Sequence, residues 1–175
     1  MTSLVLTVIG PDRPGLVQAL SDTIKRHDAN WLESEMSQLV GQFAGIVHVQ
    51  VAEAEADTLT AELVNLQNKG LSVKVTPAAE ADAEYTETNR AYTLELLGLD
   101  RPGIVRDLAQ ALAARSINVA QLKTHTESAP MSGELMFRAT SRLHVPVAAS
   151  HDELHDALDQ LAADLDLDLN LSVAE

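Results

Sequence analysis

Apolar residues along the 175-residue chain alternate between two rhythms, and the same succession of rhythms occurs twice. Residues 3–10 hold a near-continuous aliphatic run, Leu4, Val5, Leu6, Val8 and Ile9, ended by Gly10, which predicts a buried strand central in its sheet. From residue 14 to about residue 27, Leu16, Val17, Leu20 and Ile24 recur at helical spacing while Asp22, Lys25 and Arg26 lie elsewhere, predicting an amphipathic helix. Residues 31–40 and 43–51 read as antiparallel strands around a two-residue Gly41-Gln42 turn. Leu59, Leu63 and Leu66 mark a second helix, closed by Lys69 and a left-handed Gly70, and residues 71–75 alternate as a last strand. The predicted order is β-α-β-β-α-β.

Residues 77–90 lack apolar periodicity and carry acidic, small and polar side chains, so they read as a solvated linker between a first domain at 1–76 and a second at 91–175. The order then repeats: strand 91–98, helix 102–115 on Ile104, Val105, Leu108 and Leu112, strands 117–126 and 133–145, helix 151–164 on Leu154, Leu158 and Leu161, and strand 167–173. In that last strand Leu167, Leu169, Leu171 and Val173 alternate with Asp166, Asp168, Asn170 and Ser172, giving one buried and one wet face. The second hairpin is longer than the first, with residues 128–133 extending as a candidate contact loop. The fold class is therefore α+β, two ferredoxin-like units, each an antiparallel four-stranded sheet with two helices on one face. The bare sheet faces and edge strands call for partners, and a homo-oligomer is expected.

One local motif stands out against this background. Gly10-Pro11-Asp12-Arg13-Pro14-Gly15-Leu16-Val17 returns 88 positions later as Gly98-Leu99-Asp100-Arg101-Pro102-Gly103-Ile104-Val105. Each copy joins a strand to a helix. Proline just inside a helix start sacrifices no hydrogen bond, and glycine lets a ligand approach the backbone, so free N–H groups there form a small anion site, present twice. Asp12 and Asp100 also suit capping. Asn30 and Asn118, opening the following strands, each offer a donor and an acceptor. Pro11 removes a donor from the first turn and Trp31 crowds its asparagine, so the second site reads as the more open.

Composition narrows the function classes. With 26 acidic against 12 basic residues the net charge is −14, which opposes direct binding to nucleic-acid phosphates. Cysteine is absent, so no thiol nucleophile, disulfide or thiolate metal site is available. His151 and His155 stand at i and i+4, but Asp152 follows the first where a metalloprotease helix has Glu, and Ser150 with Glu153 fits a capping box. Asp164, Asp166 and Asp168 alternate with leucine as a half-exposed strand would, and the other histidines lack an acid partner at recognisable spacing. No catalytic residue, metal or cofactor is expected. The N-terminus lacks a signal-peptide pattern and no apolar stretch suffices for a membrane span, so a cytoplasmic protein is expected.

The strand, Asp-Arg-Pro-Gly-(Leu/Ile)-Val, amphipathic helix and strand-opening asparagine (Ala29-Asn30-Trp31, Ile117-Asn118-Val119) resemble the ACT domain, a regulatory module that binds amino acids and other small ligands. A chain of two such domains resembles the glycine cleavage system transcriptional repressor family. The resemblance implies a non-enzymatic, ligand-responsive accessory protein acting on a transcriptional activator, with a ligand held between domains or subunits by Asp12, Arg13, Pro14, Gly15 and Asn30, and by Asp100, Arg101, Pro102, Gly103 and Asn118. Glycine or another amino acid is the expected ligand. An amino-acid-sensing subunit of a metabolic enzyme and a ligand-free dimerisation module remain as alternatives.

Overall fold

The computed structural model describes residues 1–78 and 88–174, apart from the side chains of His151 and Glu153. The chain divides into two compact units, residues 1–81 and 82–175. Most of the expected linker, residues 79–87, lies outside the described residues, whereas its two ends are taken up by strands.

The first unit runs β1 (Thr2–Pro11), α1 (Leu16–Arg26), β2 (Asn30–Leu39), β3 (Gln42–Val51), α2 (Ala56–Asn65) and β4 (Ser72–Pro77), with 3-10 turns at Glu53–Glu55 and Leu66–Lys69. Its sheet order is β2-β3-β1-β4, every neighbouring pair antiparallel, so the aliphatic β1 is central as predicted. The second unit runs β5 (Asn89–Leu99), α3 (Ile104–Ala113), β6 (Asn118–Ser128), β7 (Leu135–Pro146), α4 (His151–Leu165) and β8 (Leu167–Val173), in the order β6-β7-β5-β8.

Alternation along β1 sends Leu4, Leu6 and Val8 toward the helices, where they bury with Leu16, Leu20 and Ile24 of α1 and Leu59 and Leu63 of α2. Leu94, Leu96, Ile104, Leu108, Leu112, Leu154 and Leu158 build the second core in the same way. Each fully buried leucine contributes about 1.5–3 kcal/mol, and these aliphatic clusters dominate the cores of a chain with few aromatics. Trp31 and Phe43 are half-buried against the first core.

The turns refine the expectations. The β2–β3 hairpin turns at Val40-Gly41, one residue earlier than predicted, with positive φ at both (48° and 75°). That is the sign pattern of a type I′ turn, which suits the right-handed twist of the strands. Gly70 is left-handed as expected (φ 79°). Asp166 belongs to the C-cap of α4 (φ 53°) rather than to the wet face of β8, and Asp28 and Ser116 close α1 and α3 in the same left-handed conformation. β2 and β6 carry matching bulges, between Trp31 and Glu33 and between Val119 and Gln121. Ser150 is the N-cap of α4 without a side-chain capping bond, and the Glu153 half of the expected capping box lies outside the described residues.

Candidate functional site

The paired Asp-Arg-Pro-Gly turns adopt nearly the same backbone. Gly15 and Gly103 are the N-caps of α1 and α3, at φ 94°, ψ −3° and φ 92°, ψ −2°, a conformation that L side chains resist. The prolines therefore precede the caps and do not occupy the first helical position. The first intrahelical bonds are Ala19 N–H to the Gly15 carbonyl and Asp107 N–H to the Gly103 carbonyl, each 2.9 Å. The three amides before each of these have no intrahelical acceptor, and no side chain caps either helix. Asp12 and Asp100 thus do not cap. They are exposed, and their backbone N–H groups donate to the following hairpin, Asp12 to the Gly41 carbonyl at 2.9 Å and Asp100 to the Leu135 carbonyl at 2.8 Å.

The two arginines are committed differently. The Arg13 guanidinium donates to the Lys69 carbonyl, where it caps the 3-10 turn at Leu66–Lys69 and lies over Gly70. A carbonyl leaves the positive charge uncompensated. Arg101 instead forms an ion pair with Asp107 of α3, Nη1 to Oδ2 3.0 Å, which neutralises it. The equivalent position in α1 is Ala19. In charge, the first turn is therefore the better anion site, although the sequence makes the second read as more open.

The asparagines are far from their own turns. Asn30 pairs with Gln50, which pairs with Ser3 at the start of β1, whereas the turn follows Pro11 at the end of that strand. At about 3.3 Å per residue the separation along the sheet is about 25 Å. Asn118, His144 and Ala91 repeat the arrangement. Each unit brings Asp12, Arg13, Pro14 and Gly15, or Asp100, Arg101, Pro102 and Gly103, together at one end and sets its asparagine at the other.

Histidines find acid partners that local spacing does not reveal. His27, at the C-terminus of α1, lies between Glu55 (Nδ1–Oε2 3.1 Å) and Glu62 (Nε2–Oε2 3.4 Å), and Arg26 donates to the same Glu62 oxygen at 2.7 Å. The bond from Arg26, supported by His27, holds the Glu62 carboxyl below the usual glutamate range. These contacts tie α1 to α2. Among the described residues no group of three or more His, Asp and Glu side chains is arranged to hold a metal, and no helix is long and apolar enough to cross a membrane.

Known proteins share this architecture. The ACT domain family model matches residues 2–76. A UPF0237 protein of Methanopyrus kandleri is 40% identical over 55 residues, 31% of this chain and 61% of its own length, so the chain spans under two thirds of that relative. A structure of an unknown protein from Galdieria sulphuraria superposes with TM-score 0.86 at 29% identity, covering 99% of both chains. A structure assigned to the glycine cleavage system transcriptional repressors superposes with TM-score 0.75 at 20% identity over 99% of this chain and 98% of that one. The shared order of strands and the twin glycine-capped turns give this chain two ACT-like folds in tandem, the first of which matches the ACT domain family.

Proposed function

We propose that the chain is a regulatory protein that binds a small amino acid, glycine foremost, at its Asp-Arg-Pro-Gly turns and thereby changes its affinity for a protein partner, a transcriptional activator. The observation that carries this reading is the pair of uncapped helix starts. Three orphan amides at the positive end of a helix suit a carboxylate, each such interaction contributing about 0.3–1 kcal/mol when exposed. The open space at Gly15 and Gly103, where an added Cβ would meet nothing within 4 Å, leaves room for a ligand. Since each asparagine sits at the far end of its own sheet, it does not reach a ligand bound at the turn of its own unit. The whole-length likeness to a structure assigned to the glycine cleavage system transcriptional repressors supports the shared fold, and the ligand and partner are carried over from the resemblance to that family. Coupling of 1–3 kcal/mol between ligand and partner would alter partner affinity by about 5–150-fold.

A thermal-shift screen of the pure protein against all twenty amino acids tests the ligand. At 100 times its dissociation constant a ligand adds about 2.7 kcal/mol, a rise of several degrees. Selective stabilisation by glycine or one other amino acid, weakened in Asn30→Ala or Asn118→Ala, is the expected result. No shift with any of the twenty would overturn it. Asparagine variants are preferable to Gly103→Val, because a valine at φ 92° strains the turn whatever the ligand does.

A further inference from the structure

The hairpin half of the sheet face away from the helices, β2–β3 in the first unit and β6–β7 in the second, carries opposite net charge in the two units, at positions the repeat makes equivalent. In the first unit the outward residues of β2 and β3 include Glu33, Glu35, Ile46 and His48, with Glu33 beside His48 (3.5 Å) and Glu35 unpaired among the described residues; these two strands hold no Lys or Arg. In the second unit the matching bulge aligns Gln121 with Glu33 and Lys123 with Glu35, and the outward residues of β6 and β7 include Lys123, His125, Arg138 and Arg142. Of these, Arg138 is paired with outward-facing Glu127 at 3.0 Å and His125 lies 3.7 Å from the same carboxylate, whereas Lys123 and Arg142 have no ion-pair partner among the described residues. The acidic groups Glu95 and Asp168 lie on the other half of that face, on β5 and β8, and Lys74 of β4 lies on the other half of the first unit's face. A chain with only 12 Lys and Arg thus sets three of them on two adjacent strands.

We infer that these faces are complementary halves of a reciprocal dimer, in which β2 and β3 of one chain rest on β6 and β7 of a second copy, and the twofold axis repeats the contact. Glu33 and Glu35 would meet Lys123 and Arg142. Ile46, 55% exposed, and Ile9, 50% exposed, would be covered in the same step. A nucleic acid fits the basic face poorly. Single strands bind through stacking rings, and Tyr92 and Phe137 of this sheet point into the core, while the net charge of −14 repels a duplex backbone. A twofold axis that uses both contacts at once gives a closed pair, as symmetric oligomers are. The inference stands whether or not the turns bind a ligand.

Charge reversal tests it directly, because all four side chains are exposed and the core is untouched. Glu33→Lys with Glu35→Lys makes both faces basic, and Lys123→Glu with Arg142→Glu makes both acidic. Light scattering coupled to size exclusion should show a wild-type dimer that dissociates as salt rises, and each double variant should be monomeric, with self-association weakened by about 100-fold or more. Mixing the two variants should restore a dimer, since each then meets its opposite. A wild-type monomer at low salt, a dimer that survives either reversal, or variants that stay apart on mixing would overturn the proposal. Circular dichroism spectra matching the wild type confirm that each variant is folded.

Discussion

Val40 is the β-branched member of the four non-glycine residues with positive φ among the described residues, and at 92% exposure no packing compensates its conformation. The left-handed region costs an L residue about 1–2 kcal/mol, and asparagine pays less of it than valine. Val40→Asn should therefore stabilise the first unit by about 1 kcal/mol. Urea denaturation followed by the fluorescence of Trp31, the single tryptophan, reads that unit alone. An unchanged midpoint would mean that the valine carries no strain. The same turn shows why single residues are hard to place from sequence. Glycine announces a tight turn, but a type I′ turn needs positive φ at two positions, and here glycine fills the second while valine is forced into the first. Pro14 and Pro102 were displaced for a related reason. With glycine as the N-cap, the proline is pushed one step outside the helix.

At the scale of elements, α1 and α2 are joined by Arg26, His27, Glu55 and Glu62 as well as by leucines. The Glu62 carboxyl titrates below the ordinary glutamate value of 4.5, with the Arg26 bond as the largest cause. A depressed folded pKa means that the unfolded chain takes up the proton first as pH falls. The contribution to stability is present above the ordinary value and is lost as pH drops through the folded one. Arg26→Ala should raise the Glu62 pKa toward 4.5 and flatten the acid limb of the stability profile, which a carbon-detected NMR titration of the carboxyl can follow. A carboxyl that titrates unchanged in the variant would show that Arg26 does not hold it. Helices and strands were legible from their periods because burial imposes 3.6 and 2.0 repeats on the apolar residues. Their ends were less so. Asp28, Ser116 and Asp166 stop helices without the glycine that usually signals a stop, and the bulges at Leu32 and Ala120 break the alternation at one residue only.

For the molecule as a whole, the duplication was plain in the sequence, and so were the turns. The distance between turn and asparagine was not. Sequence spacing says that Asn30 opens β2, but only the strand pairing says which end of the sheet that is. The unequal commitments of Arg13 and Arg101 were hidden likewise, because Lys69 lies 56 positions from Arg13.

The bond from the Asp12 amide to the Gly41 carbonyl, repeated by Asp100 and Leu135, turns each hairpin into a reporter of its turn. Those amides are released to solvent only when turn and hairpin separate, a local opening distinct from global unfolding. A ligand seated on the orphan amides should slow hydrogen exchange at Asp12 or Asp100 and across residues 39–42 or 133–136, while amides at the asparagine end of the same sheet keep their rates. Mass-spectrometric exchange with and without the amino acid would then give the occupancy of each turn separately, without any partner protein. Equal protection at both ends in a monomeric sample would mean that the ligand does not bind at the turns. Two copies of one fold would in this way carry two independent clocks, each set by a single main-chain hydrogen bond.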